Sequence, residues 1–301
     1  MHYLLTGATG YIGSKLAVAL AGLGYDVHAI VRPSSDLAVL DARVQAHTYS
    51  GEAGRIHEII GQIKPDVVVH LAAEVERAEK SISLQNVRES NIEFGCRILE
   101  AMAANNITSF VNVGSYWEYG PDGEFKPNTY YAATKRAFQN IVTYYADNFD
   151  LGAITLVLYD VYGAYDWRGK FLTNILEMAK TGTIVQATPG DQIIGPIHID
   201  DVVSGFVSAG RRVLNRDELF GHQVCFLNPL AFVSLKELIG LVNKVLATPI
   251  EVDWGRFPYG RSQIMIPYRG GAPLPGWHPN ISLSKGLLEL LNQYGLRISQ
   301  A

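Results

Sequence analysis

Tyr131-Ala-Ala-Thr-Lys135 is the stretch of this sequence richest in chemistry. A tyrosine four residues before a lysine puts both side chains on one face of a helix. A phenol titrates near pH ~10, too high for efficient proton exchange at neutrality. A cation beside it favours the phenolate and brings that value down, so the pair can exchange a proton with a reacting oxygen. Tyr130 stands next to it, but only Tyr131 has the helical spacing to Lys135. A second stretch, Gly7-Ala-Thr9-Gly10-Tyr11-Ile12-Gly13, spaces its glycines by three. Such glycines let the backbone approach a pyrophosphate, and a helix opening there offers free N–H groups and a partial positive charge.

The elements around these stretches must hold them together. His2–Thr6 reads as a short buried strand running into the glycine turn, and Gly10 or Tyr11 opens a helix carrying Leu16, Leu20 and Leu23 at helical spacing. Gly24 ends that helix and Asp26–Val31 is the second strand. Val44–Tyr49 is a candidate third strand, and the apolar run Pro65–His70 is the fourth, with helices expected on both its faces. His70 reads as structural. Leu71, Ala72 and Ala73 follow as small residues at a cofactor edge. An amphipathic helix runs from Asn91 to Met102, the fifth strand is Ser109–Val113, a helix spans Ala132–Phe149, and Ala153–Tyr159 is the sixth strand. Where the second strand ends, an acidic residue would hold ribose hydroxyls and repel a 2′-phosphate. Here Arg32 stands instead, with Ser34 and Ser35 as hydroxyl donors, so NADP fits better than NAD.

This order of motifs resembles the short-chain dehydrogenase/reductase superfamily, in its extended, nucleotide-sugar-modifying branch (the NAD-dependent epimerase/dehydratase family). The likeness spans nearly the whole chain and is strongest before residue 165. It implies an α/β fold: a Rossmann-type doubly wound parallel sheet with a smaller mixed α/β C-terminal substrate domain. The division expected is 1–160 for the NADP-binding domain and 161–301 for the substrate region, with some later segments returning to the first. The resemblance adds Thr9, Tyr11, Ile12, Asn91, Val113 and Val161 to the cofactor contacts, with Asn91 either touching the cofactor or ordering nearby backbone. Lys135 would also hold the nicotinamide ribose. Ser115 falls where the family places a hydroxyl that bonds the reacting carbonyl. Tyr116-Trp117 replaces the Asp-Glu pair with which dehydratases eliminate water, leaving no obvious proton carriers for that reaction, and Glu118, one position late, is expected to face elsewhere. Tyr116 and Trp117 either shape the sugar pocket or pack in the core. Asp160 stands where relatives carry Asn or His toward the sugar nucleotide, and Lys170 and Phe171 open the next helix. Ile194 occupies the position of a phosphate-binding arginine, so either another cation substitutes, with Lys170, Arg256 and Arg261 as candidates, or the nucleotide is held differently. Asp200 and Asp201 are expected to cap the helix after them. Within the branch, the segments Val161–Asp166 and Thr188–Gln192 most resemble synthases of the CDP-abequose and CDP-paratose type. These reduce the 4-keto group of a CDP-3,6-dideoxyhexulose with NADPH, in deoxysugar and surface-polysaccharide biosynthesis; the residues leave dTDP, UDP and GDP equally open as the nucleotide. A 4-epimerase that retains NAD and a silent NADP-binding regulator are the alternatives.

Composition narrows the classes. The chain has 301 residues, 48% hydrophobic and 18% charged, enough for a large core and inconsistent with disorder. A net charge of −4 without like-charge runs leaves no footprint for nucleic acid. Cys96 and Cys225 lack metal-ligand spacing and read as buried free thiols of a reducing cytoplasm, and no metal site is expected. No apolar stretch reaches membrane-spanning length, and the first residues lack the core of a signal peptide. The expected partners are a nucleotide-diphosphate sugar and a second copy of the chain, paired through the helices at 91–102 and 132–149 as in much of the family.

Overall fold

A computed structural model describes residues 1–75, 84–215 and 221–297. In the first part of the chain, strands β1 (His2–Thr6), β2 (Asp26–Val31), β3 (Gln45–Thr48), β4 (Val67–His70), β5 (Ser109–Ser115) and β6 (Gly152–Leu158) alternate with helices α1 (Tyr11–Gly22), α2 (Arg55–Ile63), α3 (Leu84–Arg88), α4 (Phe94–Ala104) and α5 (Tyr130–Asn148). A π turn, Glu89–Glu93, joins α3 to α4. Then come β7 (Asp160–Tyr162), α6 (Phe171–Lys180), β8 (Val185–Ala187), β9 (Ile193–Ile194), β10 (Pro196–His198), α7 (Ile199–Arg212), β11 (His222–Phe226), β12 (Val233–Ser234), α8 (Leu235–Val245), β13 (Val252–Trp254) and α9 (Leu283–Gln293).

The main sheet has seven parallel strands in the order β11-β6-β5-β4-β1-β2-β3. This is the doubly wound Rossmann arrangement expected. Successive strand residues point to opposite faces, so each strand feeds two cores. Leu5, Val67, Val69, Val111 and Ile154 pack with Leu16 and Leu20 of α1 and Val202 and Phe206 of α7. Leu4, Val68, Phe110 and Ala153 pack with Ile59 of α2, Leu99 of α4, and Phe138 and Val142 of α5. A third core, including Leu172, Ile175, Leu238, Ile239 and Leu290, gathers α6, α8 and α9 into the smaller C-terminal unit.

Two elements from beyond residue 160 return to the main sheet: α7 covers one face and β11 adds the edge strand beside β6. The strand at 222–226 is not foreseen in the sequence, because an edge strand that opens on His222-Gln223 carries no continuous apolar run. The helix after β10 also differs from expectation. Its N-cap is His198, whose Nδ1 accepts the Asp200 N–H at 3.3 Å. Asp201 is buried and accepts the N–H groups of Asn280 and Ile281 instead, at 2.9 and 3.0 Å, fastening the segment that leads into α9. Cys225 is buried as expected, whereas Cys96 is only partly so.

Candidate active site

All strands of the main sheet run the same way, so their carboxyl ends share one edge, and the order reverses between β1 and β4. That crevice is where doubly wound sheets bind ligands. Gly7 leaves β1 at φ +66°, and a Cβ there would sit 2.7 Å from the Ala72 nitrogen and 2.8 Å from the Leu71 carbonyl carbon. A Cβ on Gly13 would sit 2.2 Å from the Gly7 oxygen. The turn thus closes only with glycine, and it brings Gly7–Gly13 against Leu71–Ala73. Helix α1 starts at Tyr11 after Gly10, with no side chain capping its first N–H groups. Those donors and the glycine cradle fit a dinucleotide pyrophosphate.

At the end of β2, the Ser35 hydroxyl accepts the Arg32 N–H at 3.1 Å and the Ser35 N–H donates to the Arg32 carbonyl at 3.0 Å. The Arg32 side chain is exposed, Ser34 beside it is exposed, and among the described residues nothing pairs with the guanidinium. Asn91 is buried in the π turn. Its Oδ1 accepts the Glu74 N–H at 2.7 Å, and its Nδ2 donates to the Glu74 carbonyl and Thr134 Oγ1, both at 2.9 Å. It therefore orders the backbone after β4, the second of its two expected roles. His70 is buried, with Nδ1 2.8 Å from Thr6 Oγ1, and burial pushes its imidazole down to about 3. That is a core histidine.

Helix α5 begins one residue before Tyr131, capped by Thr129 Oγ1, which accepts the Ala132 N–H at 3.1 Å. Its buried stripe runs through Ala132, Lys135, Phe138, Gln139, Val142 and Ala146, the 3.6-residue period of a core-facing helix. Lys135 lies on that stripe and is buried, while Tyr131 is half-buried one turn earlier. The Trp117 ring meets Tyr131 edge-on at 6.2 Å. Burial pushes the Lys135 ammonium down, against the opposing pull of Glu118. The Tyr131 phenol goes up, by burial first and the Glu118 charge second, with Arg168 opposing. In the protein alone, desolvation and a nearby carboxylate raise this phenol; the lowering expected from Lys135 together with the oxidised nicotinamide belongs to the cofactor-bound site.

The turn after β5 corrects one expectation. Ser115 Oγ accepts the Trp117 N–H at 3.2 Å, and Glu118 Oε1 accepts the Ser115 N–H at 2.6 Å, a reciprocal capping box. Glu118 is fully buried and faces the site rather than away from it. The Ser-x-x-Glu spacing of Ser115 and Glu118 carried that signal in the sequence. Tyr116 and Trp117 sit in different surroundings. Tyr116 is buried, stacks on Tyr159 at 5.3 Å, and its hydroxyl donates to Asp160 Oδ1 at 3.1 Å. Trp117 is the one beside Tyr131.

Asp160 Oδ2 accepts the Gly195 N–H at 2.9 Å, so both carboxylate oxygens already have a donor. Burial raises its carboxyl, with Gly195, Tyr116 and Lys170 opposing. Lys170 stands at the N-cap of α6 and Phe171 is exposed at its start. Arg256 and Arg261 are exposed, and among the described residues no hydrogen bond or ion pair ties either to this cluster. Two arginines escaped sequence reasoning. Arg168 grips Asp166 through Nε and Nη2, both at 2.7 Å, donates to the Val161 carbonyl at 3.0 Å, and lies 4.5 Å from the Tyr11 ring. Tyr11 in turn donates to the Ala164 carbonyl at 3.1 Å, so this loop is fastened to the glycine turn. Arg269 lies 4.7 Å from the Phe232 ring, which abuts Tyr159 at 5.2 Å. Arg269 thus lies near the Ile194–Gly195 segment where the expected arginine is missing, since a Gly195 Cβ would sit 2.8 Å from Phe232. It belongs to the Pro-, Gly- and Arg-rich run at 256–276.

A glycine cradle at an uncapped helix, with a serine, tyrosine and lysine gathered at the same sheet edge, defines a dinucleotide-dependent oxidoreductase site. The chain belongs to the NAD dependent epimerase/dehydratase family, which it matches over residues 3–218. It is 28% identical over 301 residues to a CDP-abequose synthase of Salmonella typhimurium, covering 97% of this chain and 98% of that protein. A CDP-abequose synthase of Yersinia pseudotuberculosis is 25% identical over 268 residues, covering 89% and 92%. Among solved structures, a UDP-glucose-4-epimerase from Stenotrophomonas maltophila with bound NAD and formylated UDP-arabinopyranose superposes with a TM-score of 0.85 at 20% identity, covering 98% of each chain. Among the described residues no helix is long and apolar enough to cross a membrane, and no cluster of His, Cys, Asp or Glu could hold a metal.

Proposed function

We propose that this protein is an NADPH-dependent reductase of the 4-keto group of a nucleotide-linked deoxyhexulose, of the CDP-4-keto-3,6-dideoxyhexose class. The observation that carries the reading is the Arg32 side chain at the end of β2, exposed and without a partner among the described residues, where a retained NAD calls for a carboxylate. The similarity to CDP-abequose synthases along the whole chain supports the substrate class.

NADPH, when bound, supplies the hydride. The α1 N-terminus and Gly7–Gly13 hold its pyrophosphate, Arg32 with Ser34 and Ser35 its 2′-phosphate, and Lys135 its nicotinamide ribose. Tyr131 protonates the carbonyl oxygen; its raised phenol keeps the proton until the substrate takes charge. Ser115 donates a hydrogen bond to the same oxygen as negative charge develops on it. Trp117 flanks the sugar, and Arg269 and Lys170 face the diphosphate. Residues 1–160 form the NADP-binding domain, with α7 and β11 returning to it, and 161–301 the substrate region. Two copies pair through the outer sides of α4 and α5, where Tyr144 and Phe149 are exposed, and the enzyme works in the cytoplasm. Offering CDP-linked 4-keto sugars with NADPH or NADH, and following cofactor oxidation, tests the reading. Turnover with NADPH well above that with NADH supports it, and no oxidation of either cofactor rejects it.

A further inference from the structure

We propose that Glu118 is a positioning residue of the redox centre: its buried carboxylate fixes Ser115 as a hydrogen-bond donor, and its negative charge opposes ionisation of Tyr131 and supports that of Lys135. The inference rests on the assignment of Ser115, Tyr131 and Lys135 above.

Geometry carries the first half. Glu118 Oε1 holds the Ser115 main chain through its N–H at 2.6 Å, while Ser115 Oγ is occupied as acceptor of the Trp117 N–H at 3.2 Å. The only proton left on that hydroxyl is its own, so the capping box orients Ser115 to donate. A cap explains one oxygen of Glu118 and not the other. Among the described residues Oε2 is buried with no hydrogen-bond partner, and a neutral glutamine would cap Ser115 as well. A carboxyl without exposure and with an unpaired oxygen either keeps its proton or has a cation in its field; burial raises Glu118 to about 7 against the Ser115 N–H, Lys135 and Arg136, so it is charged in the alkaline range where a phenol titrates.

Those cations are on α5. Lys135 and Arg136 act on Glu118 from there, and Glu118 acts in turn on Tyr131 and on Tyr119 of its own turn. From the other elements, Arg168 acts on Tyr131 from the loop after β7, His70 of β4 lies within the field of Lys135, and the Ser115 N–H faces Glu118 from β5. A negative charge beside a phenol holds its proton in place, and beside a buried ammonium it keeps the cation charged. Glu118 thus keeps Tyr131 in its protonated form to higher pH, the form that carbonyl reduction requires.

Glu118→Gln keeps an acceptor for the Ser115 N–H and removes the charge. It is expected to fold and to bind NADPH like the parent. The Tyr131 phenol, followed as the ultraviolet difference between each protein and its Tyr131→Phe derivative, should titrate lower by about one pH unit or more. The basic limb of kcat for carbonyl reduction should move down with it. An unmoved titration and an unmoved limb would reduce Glu118 to a cap and overturn the proposal. The titration needs no substrate, so it reads Glu118 even if the parent enzyme proves unable to reduce a 4-keto sugar. If Glu118→Gln does not fold, carbon NMR of labelled glutamate carboxyls in the parent decides. One carboxyl titrating well above the ordinary range and displaced by Lys135→Met supports the proposal; all glutamates within the ordinary range overturn it.

Discussion

Arg32 and Tyr131 show how far a single residue can be read. The two chemical side chains of α5 are legible because helical spacing alone brings them to one face. Their ionisation is not, because burial is a property of the folded chain. Lys135 sits on the core stripe and loses its hydration, and Tyr131 feels a carboxylate that spacing alone did not aim at it. At Arg32 the sequence shows a cation where an acid is usual, and the structure leaves its side chain exposed. Arg32→Ala should therefore weaken NADPH much more than NADH. A charge-assisted hydrogen bond to phosphate contributes about 1.5–3 kcal/mol, or roughly 10- to 150-fold in affinity. Titration of both cofactors against both proteins measures it, and equal losses would remove Arg32 from the 2′-phosphate.

Among elements, the first β-turn-α unit is the most constrained. A Cβ on Gly13 would meet three backbone atoms of the turn, the Gly7 oxygen at 2.2 Å, the Ala8 Cα at 2.8 Å and the Gly7 carbonyl carbon at 2.9 Å, and backbone cannot step aside as a flexible side chain can. Gly13→Ala should cost about 1–3 kcal/mol in denaturant unfolding at unchanged slope, and NADPH affinity should fall with it. Gly22, in the same helix, has nothing within 4 Å of its would-be Cβ, so Gly22→Ala should leave both quantities intact or gain slightly in stability. If the two variants behaved alike, the close packing of the turn would be wrong. Strands β1, β2 and β4 were readable to within two residues because their apolar runs are bounded by glycine or proline. Strand β11 was not, being a short edge strand with a polar start. The cap of α7 was misread because two aspartates after a histidine look like capping residues, whereas Asp201 is spent on the chain before α9.

The whole molecule carries a pH dependence that no single stretch announces. Burial lowers the imidazoles of His70 to about 3 and His222 to about 4 from 6.5, and His28 and His47 shift the same way, by burial first. The unfolded chain binds those protons below pH 6.5 and the native chain does not, so this stability is complete above 6.5 and is lost as pH falls. Glu118 and Asp160, raised by burial, work oppositely and soften the loss above their ordinary range, near 4.5 for Glu118. Below it only the histidines and the lowered carboxylates, such as Asp41, still respond. Denaturant midpoints taken against pH should decline from neutrality and fall most steeply below about pH 4.5, each neutral histidine contributing about 1.4 kcal/mol per unit. A midpoint flat down to pH 4 would contradict the burial of these rings. The central claim, net reduction with release of the cofactor, is tested most directly with NADPH deuterated at its hydride position and a CDP-linked 4-keto-3,6-dideoxyhexose. The account predicts one NADPH oxidised per sugar, deuterium at C4 of the product, and NADP free in solution. Tightly held NAD, interconversion of 4-hydroxy sugars and no net loss of NADPH would contradict it and establish an epimerase instead.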